Sequence, residues 1–94
     1  MKIQHKHEGH QGLFFIEDKN DVVAELDYVD ENHDLTMTIQ HTRVNNERSG
    51  RGLGTKLVRA AVDFARKNHK LITPRCSYVK SVFLRKPEWS DVLS

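Results

Sequence analysis

The chain has 94 residues, 37% of them hydrophobic and 30% charged, with a net charge of +2, which fits one soluble globular domain over residues 1–94 with no room for a second core. No apolar run approaches the roughly 20 residues of a membrane span, and the opening Met1-Lys2-Ile3-Gln4-His5 lacks the apolar run of a secretory signal, so a cytoplasmic protein with no membrane partner is expected. The lone cysteine, Cys76, excludes an internal disulfide and fits a reducing compartment.

Residues 1–10 are polar and carry His5, His7 and His10. No cysteine or further histidine stands at a ligand spacing from them, so no metal is expected and the segment reads as a mobile polar terminus. Leu13-Phe14-Phe15-Ile16 is a short apolar strand that runs into a turn at Glu17 to Asp21. Val22 to Val29 then alternates, with Val22, Ala24, Leu26 and Tyr28 on one face and Glu25 and Asp27 on the other. After a turn at Asp30 to Asp34, Leu35 to Thr42 alternates again. Leu35, Met37 and Ile39 take the core side, and the same phase puts His41 there. Three strands joined by short polar turns make an antiparallel meander.

From Leu53 the period becomes helical. Leu53, Leu57, Ala61, Phe64 and Ala65 form one stripe, widened by Val58 and Val62, and the helix stops near Asn68. Lys70 to Thr73 reads as a fourth strand, whose pairing should fail at Pro74 for want of an N–H. Ser77 is a fair N-cap for a second helix to about Lys86, ended by Pro87, and Trp89, Val92 and Leu93 dock the tail. A meander followed by a βαβ unit is an α/β (α+β) fold, a mixed sheet carrying two helices, with a right-handed crossover.

Charge is unevenly spread, with a balance of −6 over residues 1–42 and +10 over residues 43–86. Solvated surface accounts for such an imbalance by itself. The basic stretch, however, also contains Arg48-Ser49-Gly50-Arg51-Gly52-Leu53-Gly54-Thr55-Lys56, which leads into the first helix. Glycines let the main chain bend tightly and let a ligand approach it, and the first turn of a helix presents free N–H groups and partial positive charge. The product is an anion site suited to a phosphate or pyrophosphate. The spacing fits neither the P-loop nor the dinucleotide pattern G-x-G-x-x-G, whose third glycine would fall at Thr55. On residue types alone, a glycine-rich turn without a ligand stays open.

The stretch Val44 to Leu57 resembles the acetyl-CoA loop of the GNAT (general N-acetyltransferase) superfamily, with consensus Gln/Arg-x-x-Gly-x-Gly/Ala. Gly52 and Gly54 match it, and Ser49 departs from it where Gln or Arg is usual. The whole chain is similar to the short single-domain GNAT-like proteins that end in a Pro-x-Cys-x-Tyr-like segment, here Pro74-Arg75-Cys76-Ser77-Tyr78. This resemblance implies a minimal GNAT-like fold and acetyl-CoA as cosubstrate, with no metal. It places Thr42 and Val44 along the pantetheine arm. Ser49, Gly50, Arg51, Gly52, Leu53, Gly54 and Thr55 then fall at the pyrophosphate.

The implied activity is transfer of an acetyl group to an amine, by direct attack or through Cys76. In this fold the fourth strand splays from the third, and Cys76 falls at that gap, at a helix start with Arg75 and Lys80 nearby, a setting that can lower a thiol's pKa and so allow a thiolate to attack the thioester. Many members protonate the leaving sulfur from a tyrosine in the following helix. Phe83 stands at that position here, and Tyr78 is the nearest substitute. His41, at the end of the third strand, is the candidate general base. For each of these a structural role is the alternative: a small buried thiol, a hydrogen-bonded strand-end histidine. The missing acid also suits a catalytically weak or inactive acetyl-CoA-binding module. The basic half suits nucleic acid less well, since few aromatics are present to stack on bases. The acceptor implied is an amine-bearing small molecule or a lysine-containing peptide, and Glu25 and Asp27 would line a route for a cationic one.

Overall fold

The computed structural model describes residues 2–94. Five strands form one sheet in the order β1-β2-β3-β4-β5: β1 (Lys2–Glu8), β2 (Gln11–Asp18), β3 (Asp21–Glu31), β4 (Thr36–Val44) and β5 (Leu71–Pro74). The first four pair antiparallel, and β5 lies parallel to β4, joined to it by helix α1 (Leu53–Lys67). Helix α2 (Ser77–Arg85) and a short 3-10 segment (Pro87–Val92) complete the chain. The architecture is the expected mixed sheet with two helices. Among the described residues no helix is long and apolar enough to cross a membrane.

The stripe on α1 packs on the sheet as its period requires. Leu57, Val58, Ala61, Val62 and Ala65 are fully buried against Ile16, Ala24, Leu26, Met37 and Ile39. Val79, Val82 and Phe83 of α2 and Trp89 and Val92 of the tail enter the same core, so the helices share one face of the sheet. Arg66 clamps the tail to α1 by a forked pair with Asp91, at 3.0 and 2.7 Å, and a 2.9 Å bond to the Glu88 carbonyl. The opposite face presents Leu13, Phe15, Glu25, Asp27 and Val29, with the Lys6 ammonium 5.1 Å from the Phe15 ring centre.

Four expectations need correction. Residues 2–8 are an edge strand, not a loose terminus. Its inward residues are Ile3, His5 and His7, so the polar composition conceals an alternation in which histidines do the packing. The His5 ring stacks on Phe14 (centroids 4.1 Å apart, 2° between planes) and accepts the Tyr28 hydroxyl at 2.6 Å. His7 Nε2 donates to the buried Asp30 carboxylate at 2.7 Å, which Lys70 also reaches at 3.3 Å. Second, a bulge where Glu17 pairs with Val22 and Ile16 with Ala24 leaves Val23 unpaired. The extra residue shifts the phase, so Val23 is buried and Val22 exposed. Third, Leu35 precedes β4 and is exposed. Fourth, Cys76, not Ser77, is the N-cap of α2, and its side chain makes no cap bond.

Burial holds the pKa of His5 below a histidine's ordinary 6.5, with His7 and Lys70 adding repulsion and Asp30 opposing. The Tyr28 hydroxyl, pushed up to about 12 by its own burial, stays protonated and donates to His5. Between the lowered native pKa of His5 and 6.5 the unfolded chain therefore binds a proton that native His5 does not, and stability falls as pH drops through that interval. Melting followed between about pH 7.5 and 5.5 should show this loss, and His5→Gln, which keeps an acceptor but does not titrate, should flatten it. An equal acid slope in the variant would assign the effect elsewhere.

Candidate active site

The site begins where β4 and β5 part. Their pairing runs from Thr36–Leu71 to Ile39–Pro74 and stops. Pro74 has no N–H, and the next two amides, of Arg75 and Cys76, both donate to the Ile39 carbonyl, at 2.9 and 3.2 Å. From Gln40 to Val44, β4 continues without β5, leaving that edge of its main chain free for a ligand.

Beside this edge lies a cleft of about 340 Å³. Thr42 and Val44 form one wall, Arg48 to Gly50 and Gly52 the rim, and Leu53, Gly54 and Tyr78 the floor. The loop before α1 is locally built. Asn45 accepts the Glu47 N–H at 2.9 Å and starts a one-turn 3-10 helix over Asn46–Arg48. Gly52, at φ 72° and ψ 20°, is the N-cap of α1, a left-handed conformation that a side chain would strain. No side chain caps this end and no acid lies in its first turn, so its N–H groups and partial positive charge face the cleft uncompensated. Arg48 adds a guanidinium to the rim. It pairs with Asp18 at the end of β2, and this bond holds the Asp18 carboxyl below its ordinary range.

Of the residues the sequence singles out for a coenzyme, Thr42, Val44, Ser49, Gly50, Gly52, Leu53 and Gly54 border this one cleft. Arg51 and Thr55 do not. Arg51 is exposed, and Thr55 turns its hydroxyl to Tyr78, 3.2 Å away. Arg48 lies on the rim, next to Ser49, which holds the position where the motif has Gln or Arg. Tyr78 comes to the floor because Gly54 has no side chain, a Cβ there falling 2.6 Å from the tyrosine oxygen.

Cys76 is half-buried, its sulfur 3.7 Å from the Thr42 hydroxyl, so the thiol stands behind the cleft wall at the strand gap. His41 does not face the core. Asp27 pairs with His41 but Tyr28 with Ile39, so Gln40 is an extra, unpaired residue in β4. This bulge reverses the alternation beyond Ile39. Thr42 turns toward the cleft, and His41 lies on the helix-free face, its side chain 79% exposed. The bulge thus sets the two faces of β4 apart, one for the cleft and the other for His41.

Residues 13–92 match the family model described as GCN5-related N-acetyl-transferase. The chain belongs to this family. It is similar along its length to a GCN5-like protein of Staphylococcus aureus, described as a candidate N-acetyltransferase, whose solution structure superposes with a TM-score of 0.74 at 32% identity, covering 97% of this chain and 87% of that one. The five-stranded mixed sheet with two helices is the GNAT fold. Two larger proteins share the fold. The glucosamine-6-phosphate N-acetyltransferase of Arabidopsis thaliana superposes with a TM-score of 0.66 at 21% identity, over 82% of this chain and 58% of that one. A predicted acetyltransferase of Clostridium acetobutylicum, determined with acetyl-CoA, gives 0.61 at 14%, over 81% and 56%. The chain spans little more than half the length of these two. The cleft fits the coenzyme of the GNAT family on its own chemistry: two left-handed glycines, an uncapped helix N-terminus and an arginine suit a pyrophosphate, and the free edge of β4 suits an amide-bearing arm.

Proposed function

We propose that this chain is an acetyl-CoA-dependent N-acetyltransferase acting on a primary amine. The observation that carries the reading is the parting of β4 from β5 beside the glycine-loop cleft. Acetyl-CoA supplies an activated thioester. The amides at the start of α1 and Arg48 hold its phosphates, and the free edge of β4 holds the arm, directing the acyl group to the gap by Thr42 and Cys76. His41 takes the proton that the amine loses as it forms the new C–N bond. Tyr78, whose hydroxyl borders the cleft beside Thr55, is the candidate proton donor to the departing sulfur. Phe83 is buried and has no proton to give. Glu25 and Asp27 lie on the helix-free face with His41; Glu25 is paired with Arg43 at 3.0 Å, and the Asp27 carboxylate supports a cationic acceptor, whether a small amine or a lysine-containing peptide.

The test is thermal melting with acetyl-CoA, ATP and NAD. A ligand at about 100 times its Kd adds roughly 2.7 kcal/mol to the native state, which in a domain of this size raises the melting point by roughly 10–20 °C. A rise with acetyl-CoA and neither control is expected. No rise at millimolar acetyl-CoA would overturn the reading, and a rise without CoA release in the presence of amines would leave a binding module.

A second route is favoured by the position of the Cys76 sulfur against Thr42 in the cleft wall. The thiolate would take the acetyl group and pass it to the amine. Incubation with acetyl-CoA and no acceptor should then add one acetyl mass to the intact protein, and Cys76→Ala should not gain it. Full amine acetylation by Cys76→Ala would select direct transfer.

A further inference from the structure

The β4 bulge does more than expose His41. It delivers the ring to Asp27 on the neighbouring strand, and the contact is threefold. The Asp27 carboxylate accepts the His41 main-chain N–H at 3.1 Å, and both of its oxygens lie 3.3 Å from His41 Nδ1. An ionised carboxylate accepts only, so the neutral ring that keeps this contact carries its hydrogen on Nδ1. The other ring nitrogen, Nε2, is then left with its lone pair free. Without such a partner the choice of tautomer is open; with it, the hydrogen bond at one nitrogen sets the role of the other. The main-chain bond matters equally, because it fixes the carboxylate to the bulge itself rather than to a mobile ring.

Where Nε2 stands gives this pair a use. His41 is one residue from Thr42, which walls the coenzyme cleft, and two beyond Ile39, where β5 departs. Asp27 and Gln40 form the β4 side of an open trough of about 650 Å³ that runs over β1 to β3, past Leu13, Val29, Lys6 and Glu8, with His41 just outside its lining.

We propose that Asp27 is a positioning residue that holds His41 as the Nδ1–H tautomer, with Nε2 as the proton acceptor for an amine arriving from the helix-free face. This rests on the acetyltransferase reading. In the step it serves, the amine lone pair forms the bond to the acyl carbon, the C–S bond pair leaves with the CoA sulfur, and the proton lost from nitrogen goes to Nε2. Asp27 stays ionised and stabilises the imidazolium that forms.

Imidazole nitrogen NMR on the histidine-labelled protein, with His41 assigned by His41→Gln, reads the tautomer directly. The neutral ring should be Nδ1–H in the wild type and should revert mainly to Nε2–H in Asp27→Ala. With acetyl-CoA and a blocked lysine amide as the amine, His41→Ala should lower kcat by about 100-fold, the scale of a lost general base. Asp27→Ala should lower it by about tenfold, and the double variant no further than His41→Ala alone. The KM for acetyl-CoA should stay within about twofold throughout, and Asp27→Glu should recover part of the rate. An Nε2–H ring in the wild type, unchanged kcat in Asp27→Ala, or a double variant slower than His41→Ala would each overturn the proposal. Absence of acetyl-CoA binding in the melting experiment would instead overturn the acetyltransferase reading on which it stands.

Discussion

Leu57→Ala should remove about 2–5 kcal/mol of stability, the cost of lost burial plus the cavity left behind. Leu57 has no exposed surface and lies mid-stripe on α1, packed over the sheet. The effect is large because the molecule is small. At roughly 0.05–0.15 kcal/mol per residue, a chain of this length holds about 5–14 kcal/mol in all. One methyl-rich side chain then carries a sizeable share, and the melting point should fall by at least about 8 °C. Leu84 is the control. It sits on α2 with 85% of its surface exposed, and Leu84→Ala should stay within about 0.5 kcal/mol. Urea unfolding of both variants against the wild type measures the contrast. A Leu57→Ala protein as stable as Leu84→Ala would show that α1 does not pack on the sheet as described. Because the coenzyme would bind only the folded form, acetyl-CoA should recover part of the lost melting temperature.

Gly54→Val should spare the fold and damage the cleft. A side chain at position 54 would meet the Tyr78 oxygen at 2.6 Å and the ring carbons Cε2 and Cζ at 2.8 Å, closer than atoms can approach. Tyr78 is 37% exposed and free to swing outward, so the ring moves rather than the backbone. That movement breaks its contact with Thr55 and puts valine methyls into the cleft floor. A tenfold loss of acetyl-CoA affinity is expected. At a coenzyme concentration of about 100 times the wild-type Kd, the stabilisation would then drop from roughly 2.7 to roughly 1.4 kcal/mol. Gly50→Ala separates space from conformation, since a Cβ there meets nothing within 4 Å but the residue sits at φ 83°. It should cost about 1–2 kcal/mol of backbone strain without displacing a neighbouring side chain. Equal coenzyme affinity in Gly54→Val and wild type would mean that the floor of this cleft does not touch the coenzyme.

The amino-acid order alone determines the parts of this molecule that depend on near neighbours. The apolar stripe from Leu53 to Ala65 repeats at the helical period and can bury only one face. Gly50, Gly52 and Gly54 fix a bend into a helix start, and Pro74 ends a strand pair by lacking one hydrogen. These features place a glycine loop, a strand break and Cys76 in order along the chain, because each follows from local backbone chemistry; only the resemblance to the GNAT loop implies a coenzyme there. What the tertiary structure decides is the pairing between distant strands. His5 and His7 look like a polar tail until Phe14, Tyr28 and Asp30 are beside them, and then they are packing residues. The two bulges leave no mark in the alternation of either strand, since an extra residue is defined only against its partner. Through them Val22 and Val23 exchange faces, and His41 turns away from the core to meet Asp27. Arg48 likewise finds Asp18, which lies 30 residues earlier in the chain. A one-residue shift in register moves every later side chain to the other face of a strand, and it is cross-strand hydrogen bonding, not local sequence, that sets the register.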